Sequence, residues 1–218
     1  MKKKINSIWV ILVLYLLIAL VWTVYRAFFH LSEAADELVF KPLVFVLPVL
    51  IWVKLKEKTT LNSLGFTKRN LLTNLLIGLG FGLLFALEGI IISAIKYQNL
   101  TFNPDRLKLD NILFMGLVSL ATGFSEEVLN RGFLMNRLWG KWGNEFWANF
   151  VSGLFFVLMH LPIAFFVLNY RLPFDLIAYC LSIFVLGFAD GYVFGRTKSI
   201  YSPILSHALW NWSVVLFK

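Results

Sequence analysis

Long apolar runs separated by short polar stretches dominate the chain. A helix that crosses the hydrocarbon core needs about 20 mostly apolar residues. The runs that meet or approach this are Ser7–Phe29, Val39–Val53, Leu71–Ile95, Ile112–Leu134, Phe146–Leu168, Phe174–Phe194 and Ile200–Phe217. The second is short and begins beside Lys41–Pro42, which predicts a tilted helix or a lysine that snorkels to the interface. The last is also short and carries polar groups. The pattern predicts an all-α, polytopic transmembrane helical bundle of about seven helices, with an eighth or a re-entrant segment as the alternative count. No internal repeat, soluble domain or low-complexity tract interrupts it.

Composition agrees with this pattern. Hydrophobic residues make up 59% of the chain and charged residues 15%, against roughly 45–50% and 25% in soluble domains. The 8 Trp and 22 Phe suit a lipid-facing surface with aromatic belts. Lys2–Lys3–Lys4 precede an apolar run too long for a signal peptide, and no clear cleavage site follows, so the first helix is expected to be retained. The single cysteine, Cys180, excludes an internal disulfide and reads as a passive thiol.

The net charge of +8 first raises the question of nucleic acid, but its distribution answers otherwise. With the N-terminus in the cytoplasm, seven spans place 13 of the 20 Lys and Arg inside and 7 outside. The positive-inside rule then orients the chain N-in and C-out, in a cell membrane, with the bilayer rather than nucleic acid as partner.

Against this background, Ser125–Glu126–Glu127–Val128–Leu129–Asn130–Arg131 stands out, because it places three charges inside an apparent span. A charge at the bilayer centre costs several kcal/mol on insertion scales, so such residues point to function and need partners. Of the three histidines, His30 reads as an interface residue near Glu33, Asp36 and Glu37. His160 and His207 lie within apolar runs on different helices, and Asn211 follows His207 by one turn. Residues four apart share a helix face, so Glu127 reaches Arg131 and His207 lies over Asn211. Glu126 and Glu127 project about 100° apart, which leaves Glu127 and Arg131 as structural support and Glu126 free for chemistry.

Each residue also has a plainer reading. His160 alone would be an interhelical hydrogen bond. Glu88 would be structural, Asp190 would orient its helix, and Phe156 would pack. Together, however, Glu126 and His160 supply groups that activate water. His207 and Asn211 supply donors for an oxyanion. That combination describes peptide-bond hydrolysis within the membrane. Zinc held by Glu126, His160 and His207 is the competing use of the same atoms. Against it, no HExxH motif is present and asparagine is a poor zinc ligand; a metal-free mechanism without cofactor is the expectation.

The three motifs EExxxR (Glu126–Arg131), FxxxH (Phe156–His160) and HxxxN (His207–Asn211) occur in that order on separate helices. In this the chain resembles the CPBP family, which comprises intramembrane CAAX-type proteases and bacteriocin-processing or bacteriocin-immunity proteins. The resemblance covers about half the chain, from Asn111 onward. It implies a glutamate-type intramembrane endopeptidase in which Glu126 and His160 activate water while His207 and Asn211 stabilise the oxyanion. Residues 103–218 would form the catalytic helical core, and residues 1–102 an accessory set of transmembrane helices.

By the same resemblance, the substrate would be a membrane-associated protein or peptide, with bacteriocin processing or self-immunity as a role by analogy. The alternatives are a zinc-dependent intramembrane metalloprotease, a non-enzymatic bacteriocin-immunity protein and a transporter. The lack of visible inverted repeats lowers the last.

Overall fold

The computed structural model describes residues 7–29, 31–97, 107–170 and 172–216; the reading of His30 as an interface residue lies outside them. Seven helices follow one another: α1 (Ile8–Phe28), α2 (Glu33–Leu55), α3 (Leu71–Tyr97), α4 (Leu109–Trp142), α5 (Glu145–Phe166), α6 (Pro173–Thr197) and α7 (Tyr201–Leu216). There is no strand among the described residues. The first six are long and apolar enough to cross a membrane, whereas α7, with 16 residues, is shorter. The chain is therefore a multi-pass membrane bundle.

The outer surface is apolar, with Leu16, Leu20, Leu83, Leu87, Phe174 and Leu181 exposed. Charged and polar side chains are buried between the helices, among them Lys41, Glu126, Glu127, Arg131, Asp190 and His207. That inversion of the soluble pattern fits lipid as the outer solvent.

Two helices depart from regular α geometry where buried charged residues collect. In α2, π-helical stretches at Asp36–Phe40 and Pro42–Val46 flank Lys41, and Pro42 supplies no N–H for a regular ladder. This helix begins at Glu33, capped by the Ser32 side chain, six residues before the apolar run that marked it in the sequence. In α4, a π-helical stretch spans Val128–Met135 immediately after Glu127, so EExxxR lies mid-helix. Such distortions recur at functional sites. Gly143, at φ +68°, ends α4 in the left-handed conformation, and the Asn144 side chain then caps α5.

Small residues let α7 sit against its neighbours. Cβ positions built at Gly78 and Gly82 of α3 would lie 2.9 Å from Ser202 Cα and 2.6 Å from Leu209 Cδ1. One at Gly123 of α4 would lie 3.0 Å from the Ile204 carbonyl oxygen. Close backbone approach through small residues is how membrane helices pack without a hydrophobic drive between them. Here it presses His207 toward α4.

Candidate active site

Glu126 is the point where four helices meet. It is 4% exposed. Its Oε1 accepts from Lys41 Nζ of α2 at 2.9 Å. Its Oε2 makes no hydrogen bond among the described residues and lies 3.5 Å from His160 Nε2 of α5 and 3.6 Å from His207 Nε2 of α7.

The other nitrogens of the two imidazoles are engaged. His160 Nδ1 is 2.8 Å from the Phe156 carbonyl, which can only accept, so Nδ1 carries the hydrogen and Nε2 of the neutral ring offers a lone pair toward Glu126. His207 Nδ1 lies 2.8 Å from Glu127 Oε1 and 3.9 Å from Asp190 Oδ2. A hydrogen on Nδ1 serves the first contact; a donor at Nε2 as well requires the imidazolium, whose charge Glu127 and Asp190 would face.

A second layer holds these groups in place. Arg131 Nη1 donates to Glu127 Oε1 at 2.8 Å, and Nη2 donates to the Gly187 carbonyl of α6 at 2.6 Å. The guanidinium carbon lies 4.4 Å from the Phe156 ring centroid, so α4, α5 and α6 share one buried cation. Asn130 donates to the Glu126 carbonyl at 2.8 Å and accepts from the Tyr15 hydroxyl of α1 at 2.6 Å. Trp22, Phe45, Phe156, Met159 and Ile163 form an apolar lining around Glu126, Asn130 and His160.

The structure therefore brings Glu126, His160 and His207 together and pairs Glu127 with Arg131. Asn211 is half-buried one turn beyond His207 and makes no hydrogen bond to any of them. Glu88 accepts from Trp210 Nε1 at 3.2 Å. Lys41 corrects the sequence reading of a snorkelling lysine: it is 2% exposed and turned inward onto two carboxylates. Glu37, Thr122, Asn130 and Tyr15 were also missed. The signal for Lys41 was Glu37 one turn earlier, an i,i+4 acid–base pair entering an apolar run.

A metal finds poor reception here. The trio of ligand atoms lying within 4.8 Å of one another among the described residues is Glu127, Asp190 and His207, rather than Glu126, His160 and His207. Arg131 already holds one oxygen of Glu127 at that point, and Lys41 holds one oxygen of Glu126. A cation in either place would face another cation, so the donor sets fit zinc badly.

Comparison with known proteins gives one match. Residues 108–213 match the family model described as type II CAAX prenyl endopeptidase Rce1-like. No curated protein and no solved structure matches.

Proposed function

From the match of residues 108–213 to the type II CAAX prenyl endopeptidase Rce1-like family model, we propose that the chain is a glutamate-type intramembrane endopeptidase. The observation that carries the reading is the approach of His160 Nε2 and His207 Nε2 to one oxygen of Glu126, at 3.5 and 3.6 Å. A water donating one hydrogen to Glu126 Oε2 and the other to His160 Nε2 is oriented with its lone pair free. As it attacks the substrate carbonyl, its proton passes to Glu126, and general-base help of this kind contributes about 10²–10⁴-fold.

The carbonyl oxygen becomes an oxyanion, which His207 Nε2–H stabilises together with the Asn211 amide, assigned by its motif position on the same helix face. Donors of this type contribute about 10²–10³-fold each. Glu126 then returns the proton to the leaving amine, the C–N bond breaks, and the base is regenerated. The residues that carry the reaction are thus Glu126, His160, His207 and Asn211, with Glu127 and Arg131 as support and no cofactor.

The substrate in this reading is a membrane-associated protein or peptide. The bundle lies in the cell membrane with its N-terminus cytoplasmic and C-terminus outside. Processing of a bacteriocin, or self-immunity to one, is the physiological role by family analogy.

The test is cleavage of a fluorogenic farnesylated CAAX peptide by the purified full chain in proteoliposomes. Glu126→Ala and His160→Ala should each lose at least about 100-fold in kcat while remaining folded and inserted. Full activity in Glu126→Ala would overturn the mechanism. Immunity in cells that survives both Glu126→Gln and His207→Ala would instead favour a non-enzymatic binding protein.

A further inference from the structure

Lys41 lies well outside the family-matched segment, on a helix that carries no motif, yet it makes the one hydrogen bond within the protein that the Glu126 carboxylate receives among the described residues. Lysine is almost never fully buried unless paired, and Lys41 is 2% exposed. Its ammonium is held twice, by Glu126 Oε1 at 2.9 Å and Glu37 Oε1 at 2.7 Å. Glu37 is in turn anchored by the Thr122 hydroxyl, which donates to Oε2 at 2.7 Å from one turn before Glu126 on α4. The π-helical stretches on both sides of Lys41 aim it at α4 instead of at lipid.

From this geometry we propose that Lys41 is a positioning residue for hydrolysis: by binding Glu126 Oε1 it fixes the carboxylate so that Oε2 alone is presented to His160 and His207 as the base. The argument is one of orientation. A glutamate side chain has three torsions, and in a regular helix nothing local holds its terminal plane. A short charge-assisted bond from a lysine that is itself clamped removes that freedom. Both histidines contact the other oxygen, so the carboxylate is divided into an anchored atom and a working atom. The charged and titratable groups facing it are Lys41 and Glu37 from α2, His160 from α5, and His207 from α7. The inference rests on the peptidase reading above and adds a residue from the N-terminal half to it.

The experiment compares Lys41→Met, Lys41→Arg and Glu37→Gln in the full chain, in proteoliposomes, on the farnesylated CAAX peptide. Displacement of a reacting group by about 1 Å costs on the order of 100-fold, so Lys41→Met should lose about that factor in kcat with KM unchanged. Lys41→Arg should recover part of the loss. Glu37→Gln should lose less, because Lys41 still reaches Glu126. Wild-type kcat in Lys41→Met, a loss carried wholly in KM, or no recovery by arginine would overturn the assignment.

Thermal unfolding provides the independent arm. If Lys41→Met is unstable, adding Glu126→Gln should restore part of the stability, since the more deeply buried of the two carboxylates that lose their cation is then neutral. Failure of the double variant to recover would make Lys41 a packing residue and sink the proposal. If wild type leaves the peptide uncut while the two residues remain coupled in stability, the peptidase reading is what fails, and the role of Lys41 in hydrolysis falls with it.

Discussion

Arg131→Met removes a cation that three helices share, and the size of its effect follows from what is left behind. Arg131 is 1% exposed and Glu127 is fully buried, so water cannot replace the guanidinium. Removing one member of a buried ion pair costs about 3–5 kcal/mol, because the remaining charge stays buried without its partner. The Gly187 carbonyl also loses its donor, an effect of about 1–3 kcal/mol in isolation. Against this, His207 Nδ1 remains on Glu127 Oε1 and offsets part of the loss.

The net expectation is about 4 kcal/mol of destabilisation. At roughly 2–4 °C per kcal/mol for a chain of this length, Tm falls by about 8–16 °C. The measurement is tryptophan fluorescence of the detergent-purified protein during heating, checked by size exclusion. Arg131→Met/Glu127→Gln should recover more than half of the loss by removing the orphaned charge. Arg196→Ala, which breaks the solvent-exposed pair with Glu145, should leave Tm unchanged. A Tm for Arg131→Met within experimental error of wild type, or a double variant no better than the single one, would refute the reasoning.

Other substitutions test the supporting layers. Tyr15→Phe deletes the donor to Asn130 and should cost about 1 kcal/mol in a denaturation curve, with a lower kcat because Asn130 holds the Glu126 backbone. Gly82→Val should cost about 1–3 kcal/mol by overpacking and reduce kcat, since the new side chain pushes on Leu209 and Ser206 beside His207. Gly80→Ala on the same helix, with nothing within 4 Å of the added carbon, should be neutral or slightly stabilising. Prolonged chelation should leave peptide cleavage intact; a loss that zinc restores would establish the metal-dependent alternative.

The sequence made the helices legible because the membrane demands long apolar runs, and the runs map closely onto five of the seven helices; α2 begins six residues before Val39 and α4 continues eight residues past Leu134. The boundaries it misjudged were those where charge enters a helix. Asp36, Glu37 and Lys41 made the start of α2 look non-membranous, whereas inside the bundle Asp36 pairs with Arg26 of α1 and Lys41 pairs with Glu37 and Glu126. Within the site, Glu127–Arg131 was readable because both lie on one helix, four residues apart, where geometry follows from numbering. Lys41–Glu126 is separated by 85 residues, and nothing in either segment encodes that α2 packs its Lys41 face on α4. Tyr15–Asn130 was hidden for the same reason, at a separation of 115. Asn211 shows the converse limit: sharing a face with His207 did not bring it into the hydrogen-bonded cluster.

The way these contacts divide along the chain bears on which part of it can act alone. The family-matched segment supplies Glu126, His160, His207 and their Glu127–Arg131 support. The anchor for the Glu126 carboxylate comes from α2, as Lys41. The tie on Asn130, and through it on the Glu126 backbone, comes from α1, as Tyr15. Trp22 and Phe45 of the same two helices form part of the apolar lining beside Glu126. Without α1 and α2, Glu126 would keep two histidines near one oxygen and have nothing on the other. Its surroundings would open to lipid, where an unanchored carboxylate costs several kcal/mol. The N-terminal helices therefore supply part of the physical environment in which a buried glutamate can remain ionised and oriented, and the motifs carry the groups of the proposed mechanism without containing all that would make it feasible.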